Sequence, residues 1–220
     1  MGVISALVYL HEGTDEHVYS VHGDIKLENI LLDANFNAKV SDFSFAKFSA
    51  FDDSSFGNVN SLFIFICCGS DTHGHVAPEY ISSKHLSYKV DIYSFGILVL
   101  RLVSGKRTPD LTDDDDDRNF VTRSWRLYKE DRLDELIHPE LLDCEGFELS
   151  SIIRSIKIAL WCVLRDPFLR TTTSRVSRML STEEEIPQLP DDSISMEPHR
   201  LEQKGRQSEV EIEEIEEVRA

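Results

Sequence analysis

The 220-residue sequence has few basic side chains and no long apolar run. Its 23 Lys and Arg stand against 40 Asp and Glu, which gives a formal net charge of −17. This balance argues against a nucleic-acid partner, because nucleic-acid binders present a basic surface to phosphate. The longest apolar runs, residues 62–68 and 97–103, are much shorter than the roughly 20 residues of a membrane-spanning helix. We therefore predict no nucleic-acid partner and no membrane segment in these residues.

Cysteine is also scarce, with four residues at positions 67, 68, 144 and 162. Their spacing fits neither a disulfide framework nor a C-x-x-C motif, and residues 1–10 lack the basic start of a signal peptide. These absences predict a reduced, intracellular and therefore cytoplasmic setting. The cysteines at 67 and 68 lie near three histidines, but that spacing matches no common zinc framework; the histidines are His73, His75 and His85.

The negative charge is concentrated in two short stretches of the chain. Residues 181–220 carry 13 acidic and 4 basic side chains, and residues 110–117 contain six Asp and no base. The remainder has a net charge of only −2, and 41% of the chain is hydrophobic, which is enough for a core. We predict one domain at residues 1–180 and a disordered acidic tail at residues 181–220. A helical stripe formed by Ile212, Ile215 and Val218 is the less favoured alternative for the end of the tail.

Apolar periodicity predicts a mainly helical protein with a small β hairpin. Short β-rich runs fall at residues 18–21, 29–33 and 38–43, and residues 34–37 read as a hairpin turn. Residues 44–76 are expected to be irregular, and the Asp-rich residues 110–117 are expected to form a charged loop. The predicted helices cover residues 2–11, 91–103, 120–130, 148–163 and 171–180.

Four polar residues cluster around the predicted hairpin and suggest phosphate chemistry: Asp24, Lys26, Asn29 and Asp42. A hairpin that starts at Asn29 and ends near Asp42 brings these two together, and their oxygens suit Mg²⁺. A carboxylate at Asp24 beside an ammonium at Lys26 can accept a hydroxyl proton while phosphate charge is neutralised. Taken singly, Asp24 could be a turn residue and Asn29 a solvated loop amide.

The same residues resemble two protein kinase motifs, the catalytic loop H-R-D-x-x-x-x-N and the metal-binding D-F-G. Here the motifs read His22-Gly23-Asp24…Asn29 and Asp42-Phe43-Ser44. Residues 77–79 match the family's A-P-E, residues 91–107 (DIYSFGILVLRLVSGKR) its buried central helix, and residues 161–173 (WCVLRDPFLRTTT) its closing arginine motif. The resemblance covers residues 2–180 and is greatest to plant receptor-like Ser/Thr kinases. It implies an α+β fold by family, here mainly α: a kinase C-terminal lobe whose small β hairpin carries the catalytic loop.

The resemblance also implies a role for each matching residue in ATP-dependent transfer to a protein hydroxyl. Asp24 matches the catalytic base, and Lys26 matches the lysine that contacts the γ-phosphate of ATP and implies Ser/Thr specificity. Asn29 and Asp42 match the Mg²⁺ ligands. Thr72 matches the threonine of the substrate-binding loop that touches the base and this lysine.

Four further matches are expected to be structural. His22 is expected to pack against the metal-binding segment, and Asp91 to hold the backbone of the catalytic loop. Glu79 and Arg170 are expected to form a buried ion pair. Taken singly, Asp91 would be a helix N-cap, and Glu79 and Arg170 would be surface charges.

Three features depart from the family pattern. Gly23 replaces the usual Arg, which implies control by a route other than pairing with a phosphorylated activation loop. Ser44 replaces a Gly, which tolerates backbone conformations that Ser reaches only with strain, so we expect the metal-binding turn to switch less freely. Residues 62–68 are unusually apolar for an activation segment, and we interpret them as an aberrant insertion.

The 220 residues contain neither the G-x-G-x-x-G loop nor the V-A-I-K strand of the kinase N-terminal lobe. We therefore expect this chain by itself to be weakly active or inactive. The expected partners are protein substrates with a Ser or Thr hydroxyl and other receptor-like kinases. The alternative function is a non-catalytic interaction module made from a truncated kinase lobe. By resemblance, the parent protein lies at the plasma membrane with this domain on its cytosolic side.

Overall fold

The computed structural model describes residues 1–13, 18–50, 75–83, 86–106, 117–144, 146, 148–182 and 184–190. In these ranges the protein is mainly helical, as the periodicity predicts. The helices are α1 (Gly2–Glu12), α2 (Pro78–Ser83), α3 (Lys89–Ser104), α4 (Asp117–Lys129), α5 (Pro139–Leu142), α6 (Leu149–Cys162) and α7 (Thr173–Leu180). The strands are β1 (Val18–Val21), β2 (Ile30–Leu32), β3 (Ala38–Val40) and β4 (Lys47–Ala50). Short 3₁₀ turns span Leu27–Asn29 and Leu133–Leu136.

The predicted hairpin is confirmed and consists of the antiparallel pair β2 and β3. Ile30 pairs with Val40, and Leu32 with Ala38. The carboxylate of Asp33 closes the turn, since its Oδ1 accepts from the N–H groups two and four residues further on, each at 2.9 Å. The strands are shorter than predicted because their outer residues leave the ladder to form the polar loops at the hairpin's open end.

One strand lies where the sequence predicts irregular structure. β4 pairs antiparallel with β1, with Val21 opposite Lys47 and Val18 opposite Ala50. The sequence Lys-Phe-Ser-Ala has little strand pattern of its own, and a partner nearly 30 residues earlier in the chain completes its hydrogen bonds. Strand propensity depends on such tertiary context, so the expectation for residues 44–76 is wrong at β4.

The long helices lie where they were predicted, with shifted ends. α3 begins two residues earlier than expected, and Gly105 ends it in the left-handed conformation with φ 66°, where a glycine avoids the Cβ clash. α4 begins at Asp117, the last residue of the Asp-rich stretch. Residues 110–116 of the predicted charged loop lie outside the described residues.

The core is built around α3, which buries side chains on most of its surface. One side packs against α1 and α7, and the other packs against α4 and α6. Gly96 permits the close approach of α6, because a Cβ there would lie 2.8 Å from Cys162 Cβ and 2.9 Å from the Ala159 carbonyl oxygen. The nearly all-apolar sequence of α3 is thus explained by contact with neighbours on opposite faces.

Residues 184–190, which the sequence assigns to the acidic tail, pack against the helical body. Leu189 is buried in the main core, and Trp161 Nε1 donates to the carbonyl of Pro187 at 3.2 Å. Arg154 donates to the carbonyl of Glu184 at 2.6 Å. The rest of the predicted tail, residues 191–220, lies outside the described residues. Within the described ranges, no helix is both long and apolar enough to cross a membrane.

Candidate active site

The end of the hairpin opposite its turn brings Asn29 close to the start of the segment that contains Asp42. The carbonyl of Asn29 accepts from both the N–H and the hydroxyl of Ser41, each at 2.9 Å. These bonds continue the β2–β3 register by one residue and place Asn29 beside the residue that precedes Asp42. The expected closeness of Asn29 to the start of the metal-binding segment therefore follows from strand pairing.

Asp24 is held in place by two of the predicted site residues. Its Oδ2 accepts from Asn29 Nδ2 at 2.8 Å and pairs with Lys26 Nζ at 2.9 Å. The same Nδ2 donates to the Asp24 carbonyl, also at 2.8 Å. Because both side-chain contacts fall on Oδ2, Oδ1 accepts no hydrogen bond from the described residues. A carboxylate that is held in one orientation and has one oxygen without a hydrogen-bond donor can receive a proton from a hydroxyl group.

Asp91 anchors the loop that carries Asp24. It is the third residue of α3, its side chain is fully buried, and its Oδ1 accepts from the N–H of Gly23 at 2.8 Å. Its Oδ2 accepts from the N–H of His22 at 2.7 Å and contacts His11 Nε2 at 2.9 Å. The N-cap alternative is wrong, because Tyr88 occupies that position. The loop backbone is thus tied directly to the central helix.

His22 joins the loop to the metal-binding segment. Its Nδ1 accepts from the N–H of Asp24 at 3.2 Å, so the ring proton lies on Nε2, which donates to the Ser41 carbonyl at 3.1 Å. The ring is fully buried and contacts Phe43 edge-on, with centroids 4.8 Å apart. His22 therefore fixes the spacing between Asp24 and the segment that begins at Asp42.

Asp42 is exposed and adopts the left-handed conformation, with φ 61°. Its Oδ1 accepts from both the hydroxyl and the N–H of Ser44, the latter at 3.2 Å. These bonds, with a smaller contribution from the Lys26 charge, hold the pKa of Asp42 below its usual range. The positive φ of this turn falls on Asp42 and not on Ser44, and Asp tolerates it better than most residues.

Glu79 and Arg170 form a buried ion pair 91 residues apart in sequence. Two guanidinium nitrogens of Arg170 contact the two Glu79 oxygens at 2.5 and 2.7 Å. Arg170 also donates to the carbonyls of Leu164, Lys89 and Arg165. The surface-charge alternative is wrong for Arg170, which is only 2% exposed. The pair joins α2 to the segment between α6 and α7.

A small cavity opens beside Asp24 and is lined by Gly23, His75, Tyr80 and Ser94 among others. His75 is buried, and its Nδ1 has no hydrogen-bond partner among the described residues. Burial, and then the positive charges of Arg101 and Lys26, lower the pKa of His75 to about 3. His75 is therefore neutral near pH 7, and its Nδ1 adds a polar atom to a wall that also includes Asp24, Tyr80 and Ser94.

Some expected site residues cannot be compared with the structure. Thr72, the apolar residues 62–68 and the histidines at 73 and 85 lie outside the described residues, as do the cysteines at 67 and 68. Conversely, sequence reasoning missed His11, the buried partner of Asp91. The sequence feature that could have identified His11 is its position on the apolar face of α1, four residues after Leu7.

The oxygen pair of Asn29 and Asp42 fits a magnesium ion. Because Asn29 donates its amide nitrogen to Asp24, its amide oxygen is the atom that can act as a ligand. Among the described residues, no group of three or more His, Cys, Asp or Glu side chains could hold a metal. Mg²⁺ often takes only one or two protein ligands, because it keeps several waters and also binds substrate phosphates.

Comparison with known proteins agrees with this geometry. Residues 1–180 match the family model described as "Protein kinase domain". In Arabidopsis thaliana, cysteine-rich receptor-like protein kinase 34 is 36% identical over 182 residues, which are 82% of this chain and 25% of that protein. Putative cysteine-rich receptor-like protein kinase 20 is 38% identical over 182 residues, or 82% of this chain and 26% of that protein.

A third relative, putative cysteine-rich receptor-like protein kinase 33 of the same plant, is 34% identical over 194 residues. That match covers 86% of this chain and 29% of the relative. The chain thus spans a quarter to three-tenths of the length of these relatives. The family match over residues 1–180, with the resemblance of the loop and helix motifs, shows that the chain belongs to the protein kinase family.

Proposed function

We propose that the chain carries the catalytic half of an ATP-dependent protein Ser/Thr kinase domain, as its C-terminal lobe. The observation that supports this most directly is the fixed carboxylate of Asp24, which Lys26 and Asn29 hold within a loop anchored by Asp91. Phosphoryl transfer needs little covalent chemistry from the protein, so positioning and charge carry most of the catalysis. The residues described here supply both.

Each side chain has a defined task in this proposal. Asp24 orients the substrate Ser or Thr hydroxyl and receives its proton. Lys26 neutralises negative charge on the transferred phosphoryl group. Asn29 and Asp42 would hold Mg²⁺, which when bound would neutralise negative charge on the phosphates of ATP. Thr72 contributes to the substrate-binding loop.

Asp91, His22, Glu79 and Arg170 are positioning residues in this proposal. Asp91 and His22 act on the catalytic loop and on the segment that begins at Asp42. The ion pair of Glu79 and Arg170 holds the start of α2, which follows the residues that line the cavity beside Asp24. The proposed domain comprises residues 1–180, residues 184–190 pack against it, and an acidic tail follows. Because the chemistry requires ATP, we place the domain on the cytosolic side of the membrane, with protein substrates and other receptor-like kinases as partners.

The proposal is tested by transfer of radiolabelled γ-phosphate to a mixed protein substrate. We expect the 220-residue chain alone to be weakly active, because its sequence contains no G-x-G-x-x-G loop over the phosphates and no V-A-I-K lysine. The decisive protein is therefore a chimera, in which residues 1–180 replace the matching segment in the kinase domain of cysteine-rich receptor-like protein kinase 34.

The chimera should transfer phosphate to Ser and Thr, and Asp24→Asn should lower kcat by about 10² or more, because it removes the proton acceptor. Asp134→Asn is the matched control, since Asp134 is exposed and remote from the loop. A folded chimera without activity, or with activity unchanged by Asp24→Asn, would contradict the proposal.

A second candidate function is a non-catalytic interaction module. Its support is the β2–β3 hairpin, where Leu31, Leu32 and Phe36 are 55%, 62% and 83% exposed, since exposed apolar patches mark interaction surfaces. Thermal melting of the chain with Mg-ATP separates the two candidates. A ligand that binds the folded state raises the Tm, so a shift favours the kinase and no shift favours the module.

A further inference from the structure

Ser44 stands where the kinase pattern has a glycine, and its side chain contacts the proposed metal ligand. The hydroxyl of Ser44 and its backbone N–H both donate to Oδ1 of Asp42. Two donors on one oxygen fix the carboxylate plane more firmly than one donor would. A glycine at this position could supply the N–H alone.

The two hydrogen bonds leave the two oxygens of the Asp42 carboxylate in different states. Oδ1 is occupied by Ser44, and Oδ2 accepts no hydrogen bond from the described residues. The left-handed backbone at Asp42 and the paired carbonyl of Asn29 place this carboxylate at the open end of the hairpin. A cation at this end would therefore meet one oxygen of Asp42 already held in orientation.

We propose that Ser44 is a positioning residue that orients Asp42 for Mg²⁺ through its hydroxyl. Hydrogen bonds to ligating carboxylates matter for metal affinity, and loss of such a partner typically weakens binding by about 10–100-fold. The inference deepens the proposed function and rests on its assignment of Asp42 as a metal ligand. It adds that this chain supplies a side-chain donor at a position where the family pattern has none.

The opposite effect is physically possible and defines the test. A hydroxyl that competes with the cation for Oδ1 would weaken metal binding, and its removal would then tighten it. The backbone N–H argues against competition, because it donates to the same oxygen and would keep Oδ1 occupied after the hydroxyl is removed, so removal would not free that oxygen for the cation. The direction of the change in affinity therefore decides between the two roles.

The experiment is a titration of the full 220-residue chain with Mn²⁺, a paramagnetic substitute for Mg²⁺, followed by NMR. In the wild type, Mn²⁺ should broaden the side-chain amide of Asn29 and the backbone amides of Asp42 and Ser44. In Ser44→Ala, the dissociation constant from this broadening should rise about tenfold. Ser44→Thr should restore it to within about twofold, because threonine keeps the hydroxyl and residue 44 is exposed.

Ser155→Ala is the matched control, since the Ser155 hydroxyl donates within α6 to Ser151; its affinity should equal that of the wild type. An unchanged or tighter dissociation constant in Ser44→Ala would overturn the inference while leaving the metal site intact. Absence of broadening at Asn29 and Asp42 in the wild type would instead contradict the metal site of the proposed function, and the inference with it.

Discussion

The loop region between β1 and β4 and the helical body are stabilised by different kinds of interaction. The helical body is apolar: α3 contributes fully buried Ile97 and Leu100, and α6 contributes Ile156. The loop region uses short strands, 3₁₀ turns and hydrogen bonds to carboxylates, and its candidate site residue Asp42 is exposed. Val21 and Ile25 anchor this region in the core, but its polar groups are held by hydrogen bonds that the helical body does not need.

Buried carboxylate contacts connect the two regions. Asp91 projects from α3 to the loop backbone. Within the helical body, Glu79 in α2 is paired with Arg170, which lies between α6 and α7. The loop is therefore held by a buried carboxylate where it meets the core, whereas Asp42 is exposed. Four predictions test this division, in order of the size of the expected effect.

Arg170→Met should give the largest loss of stability. It leaves the mostly buried Glu79 carboxylate without its guanidinium partner, and breaking one side of a buried pair costs about 3–5 kcal/mol. Urea unfolding measures the change in the free energy of unfolding. Arg132→Met is the control, because the pairs of Arg132 with Glu130 and Glu135 are at the surface. Equal, small changes in both variants would contradict a structural role for the Glu79–Arg170 pair.

Leu100→Ala and Leu102→Ala compare two identical changes on α3. Leu100 is fully buried and Leu102 is 58% exposed. The buried change should lower the free energy of unfolding by about 2–5 kcal/mol through lost burial and a cavity. The exposed change should stay within about 0.5 kcal/mol. If the two losses in chemical denaturation are similar, α3 is not the centre of the core.

Asp91→Asn tests the anchor between the two regions. The amide keeps one acceptor oxygen where three donors now meet the carboxylate, so at least one buried N–H loses its partner, at a cost of about 1–3 kcal/mol. Hydrogen exchange at the amides of His22 and Gly23 should accelerate more than exchange in the middle of α6. Uniform acceleration across the protein would instead show global destabilisation without a specific anchor.

His75 gives a smaller effect that depends on pH. Its pKa in the folded protein is about 3, against an ordinary value of 6.5, so the unfolded chain binds a proton first as the pH falls. Near pH 7 and above, both states are neutral and the effect is absent. Below pH 6.5, the wild type should lose stability relative to His75→Phe, down to about pH 3.

Unfolding curves of the wild type and His75→Phe at pH 7.5, 6 and 5 measure this difference. His138→Gln controls for the general effect of losing a histidine, because His138 is only half-buried. A difference in stability between His75→Phe and wild type that does not vary with pH would show that His75 titrates normally in the folded protein.

Much of the fold was predictable because local patterns agree with it. The apolar face of α1, the all-apolar sequence of α3 and the turn between β2 and β3 each follow from short-range physics, namely helical periodicity, glycine termination and Asx-type turn closure. β4 was missed because its strand structure depends on β1, which lies far away in sequence. The packing of Leu189 was missed because its segment looks like part of an acidic tail.

The candidate site shows the same division. The spacing of Asp24, Lys26, Asn29 and Asp42 pointed to phosphate chemistry, and the hairpin explained why Asn29 lies near the metal-binding segment. The contact of Asp91 with His11 could not be read from spacing, because it crosses 80 residues of chain. The position of the positive φ at Asp42 could not be predicted either, since sequence gives residue types and not the φ angles that a turn adopts.

The sequence alone determined the mainly helical character, the hairpin and the set of side chains able to act on phosphate. These depend on periodicity and residue chemistry, which are local properties of the chain. Only the tertiary structure decided that Asp91 also binds the buried His11, 80 residues earlier in the chain. It also decided that Arg170 binds, besides its expected partner Glu79, the carbonyls of Leu164 and Lys89. These contacts depend on which distant groups the fold buries together. In the low-dielectric interior an unpaired carboxylate is costly, so a buried carboxylate binds the donors that surround it.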